Sequence, residues 1–158
     1  MIQLTYADRE LFLQTFDDLK ERCGESDREI LRKVTKWAAA LRPQFGFEES
    51  LSRDVTQLSK FLLDRRGDDD IQAIARGGLL YVLKAAKFCS AKLGEFGLLD
   101  DAFVANYAVN EIRQRLDIPA SYGPPTLSEA EQERAKSLFL KFTSTPFLVH
   151  PTKAYCVS

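Results

Sequence analysis

The stretch from Asp70 to Cys89, DIQAIARGGLLYVLKAAKFC, constrains the fold more than any other part of the chain. Drawn as a helix, it places Ile71, Ile74, Leu79, Leu80, Tyr81, Val82, Leu83 and Phe88 on nearly every side. A helix that is apolar all round has no face to offer water, so other segments must surround it. It is not a membrane span. Arg76, Lys84 and Lys87 interrupt it, and the uncharged run Gly77 to Leu83 falls far short of the ~20 residues a bilayer requires. Gly77 and Gly78 sit inside it, at about 1 kcal/mol each relative to Ala. Such a pair predicts either a notch where a neighbouring helix comes close or a kink.

The rest of the chain reads as the cover for that central helix. A first helix is expected from Asp8 to Arg22, with Phe12, Phe16, Leu19 and Cys23 at helical spacing, Asp8 as cap and Gly24 as stop. A second begins at a Ser26/Glu29 capping box, carries Ile30, Val34, Trp37 and Leu41 on one face, and ends before Pro43. A third is expected from Ser52 to Arg65, with Val55, Leu58, Phe61 and Leu62 inward and Arg65-Arg66-Gly67 closing it. A fifth is expected from Asp100 to Leu116, burying Phe103, Val104, Tyr107, Ala108 and Ile112. Residues 117–127 hold three prolines and a glycine and read as a loop. A Ser128/Glu131 capping box opens a sixth helix, with Ala135, Leu138, Phe139 and Phe142 inward. Pro146 and Pro151 make residues 143–158 an extended tail. The expected fold is one all-α domain over residues 1–158: a compact irregular or orthogonal bundle of about six helices with an extended C-terminal tail.

Composition narrows the chemistry. With 22 basic and 23 acidic residues, the chain lacks the charge excess of a protein whose whole surface binds nucleic acid. Cys23, Cys89 and Cys156 are scattered and form no Cys-x-x-Cys pair, so zinc-ribbon and thioredoxin-type sites have no ligands. Thiols kept reduced, and an N-terminus without a basic and apolar leader, lead to the expectation of a cytoplasmic protein. The single histidine, His150, stands in the tail with no evident orienting partner. No phosphate-binding glycine loop and no His-Glu-x-x-His motif occurs, so no cofactor is expected.

Two constellations remain. Asp100-Asp101 follows Gly94 and Gly97 and reads first as a helix cap, favoured by the helix dipole. Its functional reading is a polar or cation site drawing on Glu95 and on the Asp68-Asp69-Asp70 run, because a hard metal needs several convergent oxygens. The second is a basic stripe: Arg28, Arg32 and Lys36 recur every four residues with Lys33 beside them, opposite the apolar face of the second helix. A stripe of that kind is ordinarily a solvated face, but it can also track a phosphate backbone.

Tyr81, Leu83, Gly97, Leu99, Asp100 and Asp101 together resemble the frame of the YkvA-like family of small bacterial helical domains, over about residues 71–112. Lys84 to Lys87 stand where that family has Ser-Pro-Ile-Asp, Ser90-Ala91 replaces its Pro-Asp, and Gly94 replaces its last proline. The resemblance implies a helical hairpin over residues 71–116 and supplies no reaction. The expected function is a non-enzymatic protein-interaction module, an adaptor or accessory subunit that binds another protein or itself. The alternatives are a nucleic-acid-binding factor using Arg28, Arg32, Lys33 and Lys36, and a metal-dependent enzyme using acids near Asp100.

Overall fold

A computed structural model describes residues 3–43, 46–64, 68–88, 96–118 and 127–143, with side chains left aside at 84–88 and 96–97. The fold is all-α: six helices pack together, with no strand among the described residues. They are α1 (Tyr6–Cys23), α2 (Asp27–Ala40), α3 (Glu48–Leu63), α4 (Asp69–Phe88), α5 (Phe96–Arg115) and α6 (Glu129–Thr143). The expected tail and most of the 117–127 loop lie outside the described residues, as do Glu95, Cys89, Cys156, His150 and the Arg65-Arg66-Gly67 stop.

Local signals explain most boundaries. The α1 cap is Thr5 rather than Asp8. Its hydroxyl accepts from Asp8 N–H at 3.1 Å, while the Asp8 carboxylate accepts from Thr5 N–H at 2.9 Å. Asp8 is the second half of a capping box, so α1 starts two residues earlier than expected. Gly24, at φ +59°, ends it in the left-handed conformation, as expected. Ser26 caps α2 through Glu29 N–H at 3.2 Å, and Ser128 and Glu131 form the full reciprocal box on α6. Asp68 caps α4, accepting from Ile71 N–H at 2.9 Å.

Two helices start a turn ahead of expectation. α3 begins at Glu48, not Ser52, without a side-chain cap; Glu48 instead reaches back to accept from Gly46 N–H at 2.9 Å. α5 begins at Phe96, not Asp100, so the acid pair lies inside the helix and the cap reading of Asp100 is overturned. Gly97, expected in the turn, is helical. At its other end α5 closes without glycine: Asp117 takes φ +56°, Asp117 N–H donates to Gln114 O at 3.2 Å, and Ile118 N–H to Arg113 O at 2.9 Å. This is the double hydrogen bond of a Schellman stop.

The core follows from α4. Every residue from Gly77 to Leu83 is buried, and α5, α1, α3 and α2 all pack on it. The Gly77-Gly78 pair is the expected notch. A methyl added at Gly77 would land on the Phe16 side chain, 2.7 Å from the Phe16 Cα, so α1 crosses at backbone distance. At Gly78 it would meet Ala108 Cβ of α5 at 3.0 Å and a Leu58 methyl of α3 at 3.1 Å. With α1 seated so closely, Phe12 stacks between Tyr107 and Phe139, with ring centroids 4.1 Å away on each side. Tyr81 meets Phe142 edge-on at 4.8 Å, which brings α6 over α4.

The two glycines therefore respond differently to substitution. Gly77→Ala forces backbone apart and is expected to destabilise by about 3 kcal/mol even after the helix-propensity gain of ~1 kcal/mol. Gly78→Ala meets a Leu58 methyl that can turn aside and the Ala108 Cβ, which gives only if α5 shifts by a few tenths of an ångström; its net loss is expected to be smaller, about 1 kcal/mol. Urea unfolding of both variants checks the order; equal losses would contradict the close crossing of α1.

Candidate functional site

The buried acid pair is built from two elements. α4 supplies Tyr81, 0% exposed, whose hydroxyl donates to Asp100 Oδ2 at 2.6 Å. α5 supplies Asp100 and Asp101, 1% and 0% exposed. Asp100 Oδ1 and both carboxylate oxygens of Asp101 have no hydrogen-bond partner among the described residues. Burial raises the Asp100 pKa, against the Tyr81 bond and the backbone N–H groups of Asp100 and Asp101. Burial also holds Asp101 well above the ordinary carboxylate range, and the neighbouring Asp100 charge pushes it the same way.

A second buried polar site, absent from the sequence reading, joins α3 to α5. Asp54, 1% exposed, accepts from Asn106 Nδ2 at 3.1 Å, and Asn106 Oδ1 accepts from Asn110 at 3.0 Å. Burial raises the Asp54 pKa, with the Asn106 bond and the Arg53 charge opposing. A signal existed for it: Leu51, Asp54, Val55, Leu58 and Leu62 share one helical stripe, so the acid occupies a core position. A third site ties α1 to α5. Arg9 donates to both oxygens of Glu111 at 2.9 and 3.1 Å, and Arg115 Nε donates to the same carboxylate at 3.2 Å. Burial, with the Glu111 charge next, pushes the adjacent Tyr107 hydroxyl up to about 12.

Among the described residues the acids do not converge. No group of three or more His, Cys, Asp or Glu side chains able to hold a metal occurs among the described residues. Asp68, Asp69 and Asp70 are exposed at the start of α4, as the cap-and-solvent reading expects, and Glu95 lies outside the described residues.

The basic stripe is only partly available. Arg28, Arg32 and Lys36 are exposed, but Lys33 binds Glu25 at 2.9 Å and is only 11% exposed. Lys33 pins the start of α2 rather than facing solvent. Trp37 is half-buried against the core, as its place on the apolar face implies. Beyond the C-terminal half of α2 lies an open groove of about 690 Å³ against α3. Ala38, Leu41 and Pro43 form one wall, and Ser52, Arg53, Thr56, Gln57 and Lys60 the other. Among the described residues, no helix is long and apolar enough to cross a membrane.

No family model, curated protein or solved structure matches this chain.

The site's geometry makes the Tyr81–Asp100 bond testable. Tyr81→Phe leaves a buried carboxyl without the one side-chain donor it has among the described residues and is expected to destabilise by about 1–3 kcal/mol. Adding Asp100→Leu removes the orphaned acceptor, so the double variant is expected to regain stability over Tyr81→Phe alone. Losses in chemical denaturation that simply add would show that the two groups do not act as a pair.

Proposed function

We propose that this chain is a non-enzymatic helical interaction module, an adaptor or accessory subunit of a bacterial cytoplasmic system, working through the outer faces of α2 and α3. The observation that carries this reading is the contrast between the two kinds of site. The chain's distinctive acids are sealed inside, while an accessible concavity among the described residues is an open groove of mixed apolar and polar lining between α2 and α3. A wide groove walled by Ala38, Leu41 and Pro43 on one side and by hydrogen-bonding side chains on the other suits a peptide or helix better than a small substrate. With Asp100 at 1% and Asp101 at 0% exposure, neither carboxylate reaches a substrate in this conformation, which weighs against a metal-dependent enzyme using these acids.

We also propose kinship with the YkvA-like domains. The frame residues Tyr81 and Leu83 on α4 and Leu99, Asp100 and Asp101 on α5 are all buried, which supports reading the shared frame as structural.

A photo-crosslinking residue at Gln57, in the groove, tests the interaction reading in the native host. Adducts at Gln57 and none from the exposed Glu133 position on α6 are expected. Equal labelling at both positions, or none at either, would sink the reading.

One observation keeps the nucleic-acid reading in view: Arg28, Arg32 and Lys36 remain exposed one turn apart along α2. Three phosphate contacts would give log K against log salt a slope of about −2.7 on duplex DNA. Replacing all three cations with Glu should abolish such binding. Titration showing no binding at low salt removes this alternative.

A further inference from the structure

Asp101 is fully enclosed, with neither carboxylate oxygen bonded among the described residues. Asp100 beside it has one side-chain partner, the uncharged Tyr81 hydroxyl. An ionised carboxylate taken out of water without a partner costs several kcal/mol, and a second charge next to it adds to that cost. The state such a site favours is a neutral carboxyl.

The described side chains of the surrounding helices offer no relief. α4 presents Tyr81 to the pair. On α3, Asp54 is held by Asn106, and Arg53 stands 3.8 Å from Asp54. On α1, Arg9 is spent on Glu111 of α5, which also holds Arg115. α6 turns Phe139 and Phe142 against Tyr81, and its Lys136 reaches Asp8 of α1 at 2.9 Å. On α2, Asp27 holds Arg76 of α4. Among the described residues, the groups acting on the pair are therefore Tyr81, nearby backbone N–H groups and the two acids themselves.

We infer that Tyr81, Asp100 and Asp101 form a proton-dependent clasp between α4 and α5. While the pair retains a proton, the first turns of α5 stay packed on α4; when both carboxyls ionise, those turns loosen.

The direction follows from linkage. In the unfolded chain both acids titrate near 4, and in the fold both are held higher. The clasp therefore stabilises fully below about pH 4 and weakens as pH rises through the folded values. This is the reverse of an acid held in a salt bridge, which gains stability as pH rises.

The test uses the full chain and its Asp101→Asn variant, followed from about pH 5 to about pH 9. The wild type is expected to lose thermal stability across that range, and Asp101→Asn to show a flatter profile with a higher midpoint at the alkaline end. Hydrogen exchange, corrected for intrinsic rate, should rise about tenfold in peptides spanning Leu98 to Val104 and stay constant in α2 and α6. Infrared difference spectra of wild type against variant at neutral pH should show a protonated carboxyl band that disappears on alkalinisation. Absence of that band, or a variant with the wild-type pH slope, would overturn the clasp. If Asp101→Asn does not fold, the wild-type spectrum and exchange profile decide alone: a carboxyl band and alkaline loosening confined to α5 support it, and exchange independent of pH overturns it.

Discussion

The crossing of α1 over α4 at Gly77 governs the arrangement of the other helices. A side chain there would displace Phe16, and with it the helix that carries Phe12. Phe12 is the ring on which Tyr107 of α5 and Phe139 of α6 both stack. The position of α1 thus fixes where α5 and α6 meet, and α6 in turn places Phe142 against Tyr81. Dispersion between close-packed rings is weak per atom and large in sum, so a small displacement at the crossing would be felt across three helices.

Once α4 is enclosed, α5 is enclosed too: every residue from Leu99 to Val109 is buried. Such a helix must bury whatever polar groups its sequence carries. Asp100 meets Tyr81 of α4, Asn106 meets Asp54 of α3, and Glu111 meets Arg9 of α1. Each bond reaches a different element, so together they fix the rotation and height of α5, which apolar packing alone leaves less defined. Apolar side chains of similar shape would often be as stable or more so, and the gain from such groups is specificity of arrangement. Asp101 is the exception, since it has no such partner among the described residues and adds no register there.

Most of the scaffold was legible because it depends on local grammar. Six helices, the Ser128/Glu131 box, the Gly24 stop and the central place of α4 all follow from spacing and capping within a few residues. The early starts of α3 and α5 were not, because neither Phe47 nor Glu95, the residues before them in the sequence, is a capping type. The acid pair was misread for a related reason. Asp beside an apolar run is commonly a cap, and only tertiary burial distinguishes a cap from a core acid. A trace of the answer was present in the spacing: Asp101 lies on the same helical stripe as Ala105, Ala108 and Ile112, as Asp54 does with Leu51 and Leu58. Lys33 shows the opposite failure. It reads as one of four equivalent surface cations, yet Glu25, eight positions earlier in the chain, removes it from the stripe.

The candidate binding faces lie where the bundle is least committed. α2 fully buries only Ile30 and Val34, and ion pairs hold it at Asp27–Arg76 and Glu25–Lys33. A helix with so small a buried face can change its outer residues at little structural cost, since surface substitutions away from packing and caps usually stay within about 0.5 kcal/mol. The buried stretches Gly77 to Leu83 of α4 and Leu99 to Val109 of α5 have no such freedom, because their sides are spent on each other and on their neighbours. Recognition is therefore expected on α2 and the α2–α3 groove. The acid pair, shielded from any partner, can influence those faces only through the stability of the helices that carry them.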